Sequence, residues 1–437
     1  MSNHLNRASK HFDLEQNLYI EGDNLEALKL LRQNYRDKVK LIYIDPPYNT
    51  GHQFVYSDKF TSQQWGSMML HRLEAARELL SDDGAIFISI DQHEMIRLVG
   101  ICDEVFGSVN RVAIISVINN LKGRSDNAFF ATCHEFLLVY AKAVDKLSIT
   151  GFPLSDDEVN DEYDQQDEIG RYKLIGFRKT GRAWKREERP NMFYPVLFKN
   201  QQFSTLPPHE LVQLYDEQRG TFNDAYLLAL TERCQRQGFQ VIWPKNEQGV
   251  YGRWRWGIET FLAQKDSHLA LNAAGTLCTK MRATLENGQL RMKAAKTVWY
   301  KPDYDTGSAA RQLATLMGRA DLFENPKSLT FIADIIKIAT RKDSIVLDFF
   351  SGSSTTAHAV MQQNAEDGGC RKFIMVQRPD PTAARSAARQ AGYHTICEIG
   401  EERIRRSGQL ILAKQKERGD TQLINTDFRI EKLPQSH

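Results

Sequence analysis

The first third of the chain alternates between two hydrophobic patterns, one with the period of a helix and one typical of a buried strand. In GDNLEALKLLRQNY the leucines Leu25, Leu28 and Leu31 fall on one helical face, and the apolar run LIYI follows. The helical stripe of SQQWGSMMLHRLEAARELL and the apolar run AIFISI repeat this order. Helices that alternate with apolar strands predict a parallel α/β sheet, which continues to about residue 144.

The alternation is lost between residues 145 and 297 and returns afterwards. The later half carries the helical patterns SLTFIADIIKIAT and TTAHAVMQQNA and the apolar strands DSIVLDFF and KFIMVQ. The pattern therefore predicts one α/β domain in two pieces, 1–144 and 298–395, with an inserted domain at 145–297. A polar, helical C-terminal tail is predicted for 396–437.

Composition limits the class of protein but does not identify a binding partner. The 437 residues are 41% hydrophobic and 26% charged, which is ordinary for a soluble globular protein. No apolar run approaches the roughly 18 residues of a membrane span, and the N-terminus lacks the apolar centre of a signal peptide. The chain is therefore predicted to be cytoplasmic and not bound to a membrane. Its six cysteines include no CxxC pair, which argues against a zinc site and against a disulfide framework.

The stretch DSIVLDFFSGSSTTAHAV is an apolar strand that enters a loop of small residues, and this loop opens a helix. Such a loop lets the backbone approach a nucleotide-like ligand at the carboxyl edge of a parallel sheet, and Gly352 permits that approach. The loop is neither GxGxxG nor a Walker loop, which favours a smaller adenosine ligand over a dinucleotide or ATP. Gln377 ends the next strand, where its amide can bind ribose hydroxyls. Taken alone, the stretch is equally consistent with an ordinary strand-to-helix turn.

An apolar strand also precedes the tetrapeptide DPPY, in LIYIDPPYNTG. Each proline holds the residue before it in an extended conformation and lacks an N–H, so Asp45 and the Pro46 carbonyl lie side by side as acceptors. Two adjacent acceptors suit a nitrogen with two hydrogens, such as the exocyclic amine of adenine or cytosine. Once the base has left the duplex, it can stack on Tyr48, a contact worth roughly 1–3 kcal/mol. The alternative is a rigid turn after a strand.

Together with IEGDNLEALKLL, AIFISIDQHE, HEFLLVYAK and NPKSL, these two stretches resemble, in content and order, amino-group DNA methyltransferases that use S-adenosylmethionine. They are similar to the permuted class, in which the catalytic tetrapeptide precedes the cofactor loop, and most similar to the Mod subunits of type III restriction-modification systems. REERPNMFYPV and RWRWG resemble segments of the target-recognition region of that family. The resemblance covers nearly the whole chain. It implies a circularly permuted, Rossmann-like methyltransferase sheet with an inserted target-recognition domain.

The resemblance also implies roles for single residues. Asp45 and the Pro46 carbonyl would hold the target amine, Pro47 completes the rigid turn, and Tyr48 would stack on the flipped base. The S-adenosylmethionine site would draw on both halves of the α/β domain, through Asp23, Lys327, Asp348, Phe349, Phe350, Ser351, Gly352, Ser353 and Gln377. The reaction is a direct in-line methyl transfer, which needs no metal.

The inserted domain carries an acidic run, Ser155 to Glu168, followed directly by a basic run, Arg171 to Arg189. A run of charges is most often a solvated face, but DNA as the expected substrate favours phosphate contacts. The predicted DNA-binding residues come from the basic run and from RWRWG: Arg178, Lys179, Arg182, Lys185, Arg186, Arg189, Arg253 and Arg255. In RWRWG the tryptophans can be core residues, with only the arginines outside.

The chain departs from the pattern of this family at two places. The loop of the family usually reads F-x-G-x-G, whereas Ser354 stands at the last position here, and its side chain would crowd the backbone against the cofactor. The chain also ends near DFRIEKL, where Mod subunits typically continue. A homodimer and a restriction subunit therefore stay open as partners beside double-stranded DNA.

The sequence thus predicts a site-specific DNA adenine N6-methyltransferase, the modification component of a restriction-modification system. An acid at the first position of the tetrapeptide is more typical of the adenine enzymes in this class. Three alternatives stay open: cytosine N4 as the target, an amine in RNA as the target, or a DNA-binding specificity module in which Ser354 has abolished cofactor binding. The recognition sequence depends on side-chain geometry in the inserted domain and is not predicted.

Overall fold

The computed structural model describes residues 13–51, 60–123, 129–319, 321–420 and 424–434. The chain divides into two compact units, one formed by residues 1–152 with 294–437 and the other by residues 153–293. The second unit lies within the predicted insert of 145–297, and its role in target recognition stays a prediction. Over the described ranges, no helix is both long enough and apolar enough to cross a membrane.

The first unit is built on a sheet with nine strands in the described residues. In chain order they are β1 (Asn17–Glu21), β2 (Val39–Ile44), β3 (Leu80–Ile90), β4 (Arg111–Ile118), β5 (His134–Ala141), β6 (Val298–Tyr300), β7 (Ile345–Asp348), β8 (Lys372–Gln377) and β9 (Phe428–Lys432). Their spatial order is β6-β4-β5-β3-β2-β7-β8-β1-β9. Within the described sheet β5 alone is antiparallel to its neighbours, so the predicted α/β sheet is confirmed with one reversed strand.

Helices cover both faces of this sheet. The longer ones are α1 (Asn24–Tyr35), α2 (Ser62–Leu79), α3 (Met95–Phe106), α4 (Thr306–Met317), α5 (Leu329–Ala339), α6 (Thr355–Asp367) and α7 (Ile396–Arg418). Asp23 begins α1 by accepting the backbone N–H groups of Leu25 and Glu26. Thr61 and Gln64 form a reciprocal capping box at the start of α2.

Strand β2 contributes to two cores because successive residues of a strand point to opposite faces of the sheet. Ile42 and Ile44 pack in the core that includes apolar side chains of α1, α2 and α3. Leu41 and Tyr43 pack in the core on the other face, with α5, α6 and α7. Burial on both faces explains why this strand is an unbroken apolar run in the sequence.

The predicted tail of 396–437 is not a separate segment but part of the first unit. Helix α7 buries Ile404 and Ile411, which lie seven positions apart on one face among polar residues. Strand β9 pairs in parallel with β1 at the edge of the sheet. An edge strand has one unpaired side and tolerates polar residues, which is why the sequence looked like a tail.

The second unit has shorter elements. Its helices are Asp156–Glu162, Pro208–Leu211, Asp224–Arg236 and Ile258–His268. Its strands are Gln165–Asp167, Gly170–Gly176, Val196–Lys199, Gln202–Ser204, Tyr215–Asp216, Thr221–Phe222, Gln240–Ile242, Leu269–Leu271, Leu277–Arg282 and Met292–Lys293. One of its cores centres on the indole of Trp254, which stacks on Phe177 with ring centroids 4.9 Å apart.

Candidate active site

A pocket of the first unit lies where β2, β7, β8 and β1 end side by side. Most of the predicted catalytic and cofactor residues line it: Asp23, Asp45, Pro47, Lys327, Asp348, Phe349, Phe350, Ser351, Gly352, Ser353 and Gln377. Pro46 and Tyr48 are the two predicted residues outside that lining. The strand order explains this convergence, because β2 and β7 are neighbours in the sheet although about 300 residues separate them in the chain.

A hydrogen bond from helix α2 fixes the backbone of the DPPY tetrapeptide where it leaves β2. Trp65, buried in α2, donates its indole N–H to the Pro47 carbonyl over 2.7 Å. No donor among the described residues bonds to the Pro46 carbonyl. Asp45 Oδ1 is likewise a buried acceptor without a hydrogen bond in the described structure, although the ammonium of Lys327 lies 3.3 Å away. These two oxygens are therefore the local acceptors that a ligand can use.

The polar side chains around Asp45 converge on Glu135, a buried carboxylate at the start of β5. Lys327 Nζ lies 2.7 Å from Glu135 Oε2, 2.6 Å from the Tyr48 hydroxyl and 3.3 Å from Asp45 Oδ1. The Tyr48 hydroxyl donates to Glu135 over 3.1 Å, and Lys327 Nζ stands 5.0 Å from the centroid of the Tyr48 ring. The ammonium of Lys327, predicted for the cofactor site, thus lies beside the DPPY tetrapeptide.

The charged groups in this cluster shift each other's pKa values. Burial raises the pKa of Asp45 to about 6, and the ammonium of Lys327 offsets part of that effect. Burial by itself lowers the pKa of Lys327, but the carboxylates of Asp45 and Glu135 raise it above its usual value. The cluster thus places the ammonium of Lys327 between the carboxyl groups of Asp45 and Glu135.

Glu135 was given no role in the sequence analysis. A signal was present in HEFLLVYAK, because an acid directly before a buried apolar run needs a partner. Its partner Lys327 is 192 positions away in the chain. Only the sheet brings the two together.

Asp348, at the end of β7, holds the small-residue loop 349–354 in shape. One carboxylate oxygen accepts the backbone N–H of Phe350 over 3.0 Å, and the other accepts the hydroxyl of Thr356 over 2.6 Å. Burial raises the pKa of Asp348 to about 7 despite these two donors. Because both oxygens are engaged within the loop, the side chain contributes to the pocket mainly through the shape of the loop.

Gly352 sits at the tightest point of this loop. Its φ is +53°, in the left-handed region that favours glycine, and a Cβ there would lie 3.2 Å from the Phe323 ring. Its N–H donates to Gln377 Oε1 over 2.7 Å. The side chain predicted to bind ribose is thus engaged with the loop. Asp380, three residues further on, lines the pocket beside it.

The sequence predicts that the side chain of Ser354 crowds the pocket, but the structure directs this side chain elsewhere. Its φ is +61°, it is completely buried, and its hydroxyl lies 3.0 Å from the Ser351 hydroxyl. A Cβ built on Gly400 of α7 would stand 2.6 Å from Ser354 Oγ. The serine is therefore accommodated against α7, because residue 400 is a glycine, and the predicted crowding of a cofactor is wrong.

The start of α1 is tied to the cofactor loop. Asp23 caps the helix and pairs with Arg72 of α2 over 3.1 Å. The amide of Asn24 donates to the Phe349 carbonyl over 2.9 Å and accepts a hydrogen bond from Arg72. Asn24 and Arg72, which the sequence analysis did not single out, thus connect the two pieces of the first unit at the pocket.

The structure divides the predicted DNA-binding residues of the second unit. Several are exposed or half-buried: Arg178, Lys179, Arg182, Lys185, Arg189 and Arg255. Arg253 is only 8% exposed, and its guanidinium donates to the carbonyls of Ala183 (2.6 Å) and Trp254 (3.2 Å). Its assignment as a phosphate contact is therefore corrected to a structural role.

Arg186 requires the same correction. Its guanidinium pairs with Asp224 over 2.7 Å and lies 4.3 Å from the Phe222 ring centroid and 4.8 Å from that of Tyr251. Only 12% of the side chain is exposed. Charge counting along the sequence identifies a basic run but not the direction in which each side chain points.

Comparison with known proteins adds independent support for the resemblance. The model of the DNA methylase family of N6 and N4 methyltransferases matches residues 39–407. The EcoPI Mod subunit of a type III restriction-modification enzyme, from Escherichia phage P1, is 38% identical over 423 residues, which cover 89% of this chain and 62% of that protein. Type II methyltransferase M.KpnI of Klebsiella pneumoniae is 32% identical over 397 residues, covering 89% of this chain and 86% of that protein.

A third relative is the EcoP15I Mod subunit of Escherichia coli, 29% identical over 444 residues, which cover 90% of this chain and 63% of that protein. The chain thus spans less than two thirds of the length of either Mod subunit.

Proposed function

Because the chain belongs to the DNA methylase family of N6 and N4 methyltransferases, we propose that it transfers a methyl group from S-adenosylmethionine to the N6 amine of adenine in double-stranded DNA. The observation that carries this proposal is Asp45 Oδ1 at the end of β2, a buried acceptor that makes no hydrogen bond in the described structure and forms an ion pair with Lys327 over 3.3 Å. It lines the same pocket as the small-residue loop after β7. An amine donor and an adenosine ligand can therefore meet there.

The target amine would be held by the tetrapeptide. Asp45 Oδ1 and the Pro46 carbonyl accept its two hydrogens, which directs the nitrogen lone pair away from both oxygens. Asp45 is ionised at neutral pH, since its pKa is about 6, and it can take up the proton that the methylated nitrogen loses. Lys327, 3.3 Å from Asp45 Oδ1, supports the ionised form.

The residues of the pocket fit S-adenosylmethionine, which supplies an electrophilic methyl group on a sulfonium when bound. The loop after β7 approaches closely because Gly352 lacks a Cβ. Acids and bases both line the pocket, and two of the acids are paired within it, Asp23 with Arg72 and Asp380 with Arg378. The ring of Phe350 adds an apolar wall. Orientation and polarisation of the amine by these residues are expected to supply most of the rate enhancement.

We infer the biological role from the relatives, two of which are named as Mod subunits. The chain would be the modification component of a restriction-modification system. Its second unit would read the DNA sequence and contact phosphates through its exposed arginines and lysines. A homodimer and a restriction subunit are the partners that this role suggests.

The chemistry is tested by identifying the methylated base. The purified protein is incubated with labelled S-adenosylmethionine and unmodified double-stranded DNA, or with RNA, and the product is digested to nucleosides. We expect the label in N6-methyl-2′-deoxyadenosine from DNA. Label in N4-methylcytosine would show that cytosine, and not adenine, is the target. Label only in RNA would overturn the DNA assignment.

Asp45→Ala tests the role of the tetrapeptide. We expect this variant to lose methyl transfer by about 100-fold to 1000-fold, because one preorganised acceptor is removed. S-adenosylhomocysteine binding, measured by calorimetry, should persist. Asp82→Ala is the matched control, since this acid is exposed and pairs with Lys146 at the surface. Full activity of Asp45→Ala would contradict the mechanism.

A further inference from the structure

Behind the cofactor loop lies a buried cation that the proposed mechanism does not use. Arg403 of α7 is 2% exposed. Its Nη1 donates to the hydroxyl oxygens of Ser353 (2.9 Å) and Thr355 (2.6 Å), both of which line the pocket. Its Nε is buried and has no hydrogen-bond partner in the described part of the chain. A desolvated guanidinium in this state is costly unless a negative charge compensates it.

The protein supplies no such charge among the described residues. Other cations at the pocket have carboxylate partners: Arg72 pairs with Asp23, Arg378 with Asp380, and Lys327 with Glu135. For Arg403 no ion pair is found within the described ranges. Its neighbour His358 adds no second positive charge, since burial lowers the pKa of that imidazole to about 3 and keeps it neutral.

The contacts of Arg403 fix the direction of two hydroxyl groups. Because Ser353 and Thr355 accept from the guanidinium, their own hydrogens must point elsewhere. Thr355 donates weakly to the Lys327 carbonyl over 3.4 Å. The Ser353 hydroxyl donates to no acceptor in the described structure, which leaves its hydrogen for a ligand. Thr355 also begins α6, whose first backbone N–H groups favour an anion.

We propose that Arg403 is a positioning residue that turns this end of the pocket into a carboxylate subsite. The guanidinium acts through the hydroxyls of Ser353 and Thr355 and compensates the carboxylate at the amino-acid end of the ligand. The inference rests on the proposed function, because S-adenosylmethionine carries such a carboxylate. Burial lowers the pKa of Arg403 to about 9, so the group is still a cation at neutral pH.

The test compares two ligands that differ only by the carboxylate. Binding of S-adenosylmethionine and of decarboxylated S-adenosylmethionine is measured by calorimetry on the full chain. We expect the natural protein to prefer the carboxylate-bearing ligand by about 10-fold to 100-fold, the range of a charge-assisted hydrogen bond. Arg403→Met should lose most of this preference while keeping its affinity for the decarboxylated ligand.

Two further variants separate positioning from packing. Arg405→Met is the control, since Arg405 lies on the same helix but is half exposed and pairs with Glu401. It should keep the full preference. Ser353→Ala leaves the guanidinium in place and removes the hydroxyl, so it should lose part of the preference even if Arg403→Met does not fold.

Each remaining outcome is decisive. Equal weakening of both ligands in Arg403→Met, with an unchanged preference in Ser353→Ala, would mean that Arg403 is only structural. A natural protein that binds both ligands equally well would also overturn the subsite. If the natural protein binds neither ligand, the proposed function itself fails, and the subsite fails with it.

Discussion

At the scale of single residues, the site depends on two carboxylates that share one lysine. Glu135 holds Lys327 at 2.7 Å, whereas Asp45 Oδ1 is 3.3 Å away and keeps its capacity to accept. The stronger pairing with Glu135 thus leaves Asp45 available to a substrate amine. If Lys327 were attached to Asp45 alone, its ammonium would occupy the oxygen that the proposed mechanism needs.

The pH dependence of methyl transfer follows from Asp45. The acceptor role needs the carboxylate, so the rate should be full above the pKa of about 6 and fall as the pH drops through it. The negative charge of Glu135 contributes to the raised pKa of Asp45. In Glu135→Gln we therefore expect the inflection to move to lower pH.

Single-turnover rates between about pH 4 and about pH 8, roughly two pKa units on either side of the inflection, measure this shift. Glu78→Gln, at an exposed acid that pairs with Arg32 and Arg36, should leave the inflection in place. An inflection that stays fixed or moves upward in Glu135→Gln would show that another group controls the profile.

At the scale of secondary-structure elements, the cofactor loop and helix α7 fit each other through one small residue. Ser354 adopts a positive φ and directs its hydroxyl at Gly400. The departure of the loop from the usual pattern of the family is thus matched by a glycine 46 positions later. The helix that the sequence suggested to be a polar tail supports the loop from behind.

Gly400→Ala should therefore destabilise the first unit. The new Cβ would meet Ser354 Oγ at 2.6 Å and the Tyr19 hydroxyl at 3.0 Å. Overpacking of this kind costs about 1–3 kcal/mol, which thermal unfolding can measure. Adding Ser354→Gly should recover part of the loss, because the closer of the two contacts is removed.

The control is Gly100→Ala in α3, where a Cβ meets nothing within 4 Å. This change should stabilise the helix slightly, by up to about 1 kcal/mol. Equal stability of Gly400→Ala and Gly100→Ala would contradict the proposed fit between loop and helix.

At the scale of the whole molecule, the net charge of +2 conceals how the charges are used. In the second unit, some of the predicted phosphate contacts are built into its fold, as with Arg186 of the basic run and Arg253 of RWRWG, and others are exposed, as with Arg182 and Arg189. The two groups should respond differently to the same substitution, since one contributes to stability and the other to binding.

Arg189→Gln should weaken DNA binding over all sequences and reduce the salt dependence by about one phosphate contact, with unchanged thermal stability. Arg253→Gln should instead destabilise the protein by about 1–3 kcal/mol, because buried carbonyls lose their donor. Binding at several salt concentrations and thermal unfolding measure the two effects.

Arg219→Gln removes the same charge from the same unit at a side chain that is 82% exposed, outside the basic run. It should change neither the salt dependence of DNA binding nor the thermal stability. A reduced salt dependence in Arg219→Gln equal to that in Arg189→Gln would show that net charge, and not the exposed part of the basic run, controls DNA binding.

The sequence by itself was sufficient for the α/β class, the resemblance to the family, and the two stretches that form the pocket. Each of these is a local pattern: apolar strands of a few residues, the DPPY turn and the small-residue loop are all read over a dozen positions or fewer. Both the α/β sheet and the family resemblance are confirmed.

Only the tertiary structure decided how distant residues are paired. The contact of Glu135 with Lys327, that of Ser354 with Gly400, and the burial of Arg253 and Arg403 leave no periodic trace in the sequence. A side chain's charge is visible in the chain, but its partner and its exposure depend on which strands and helices become neighbours. That is why the chemistry of the pocket was predictable in outline, while the groups that tune it were not.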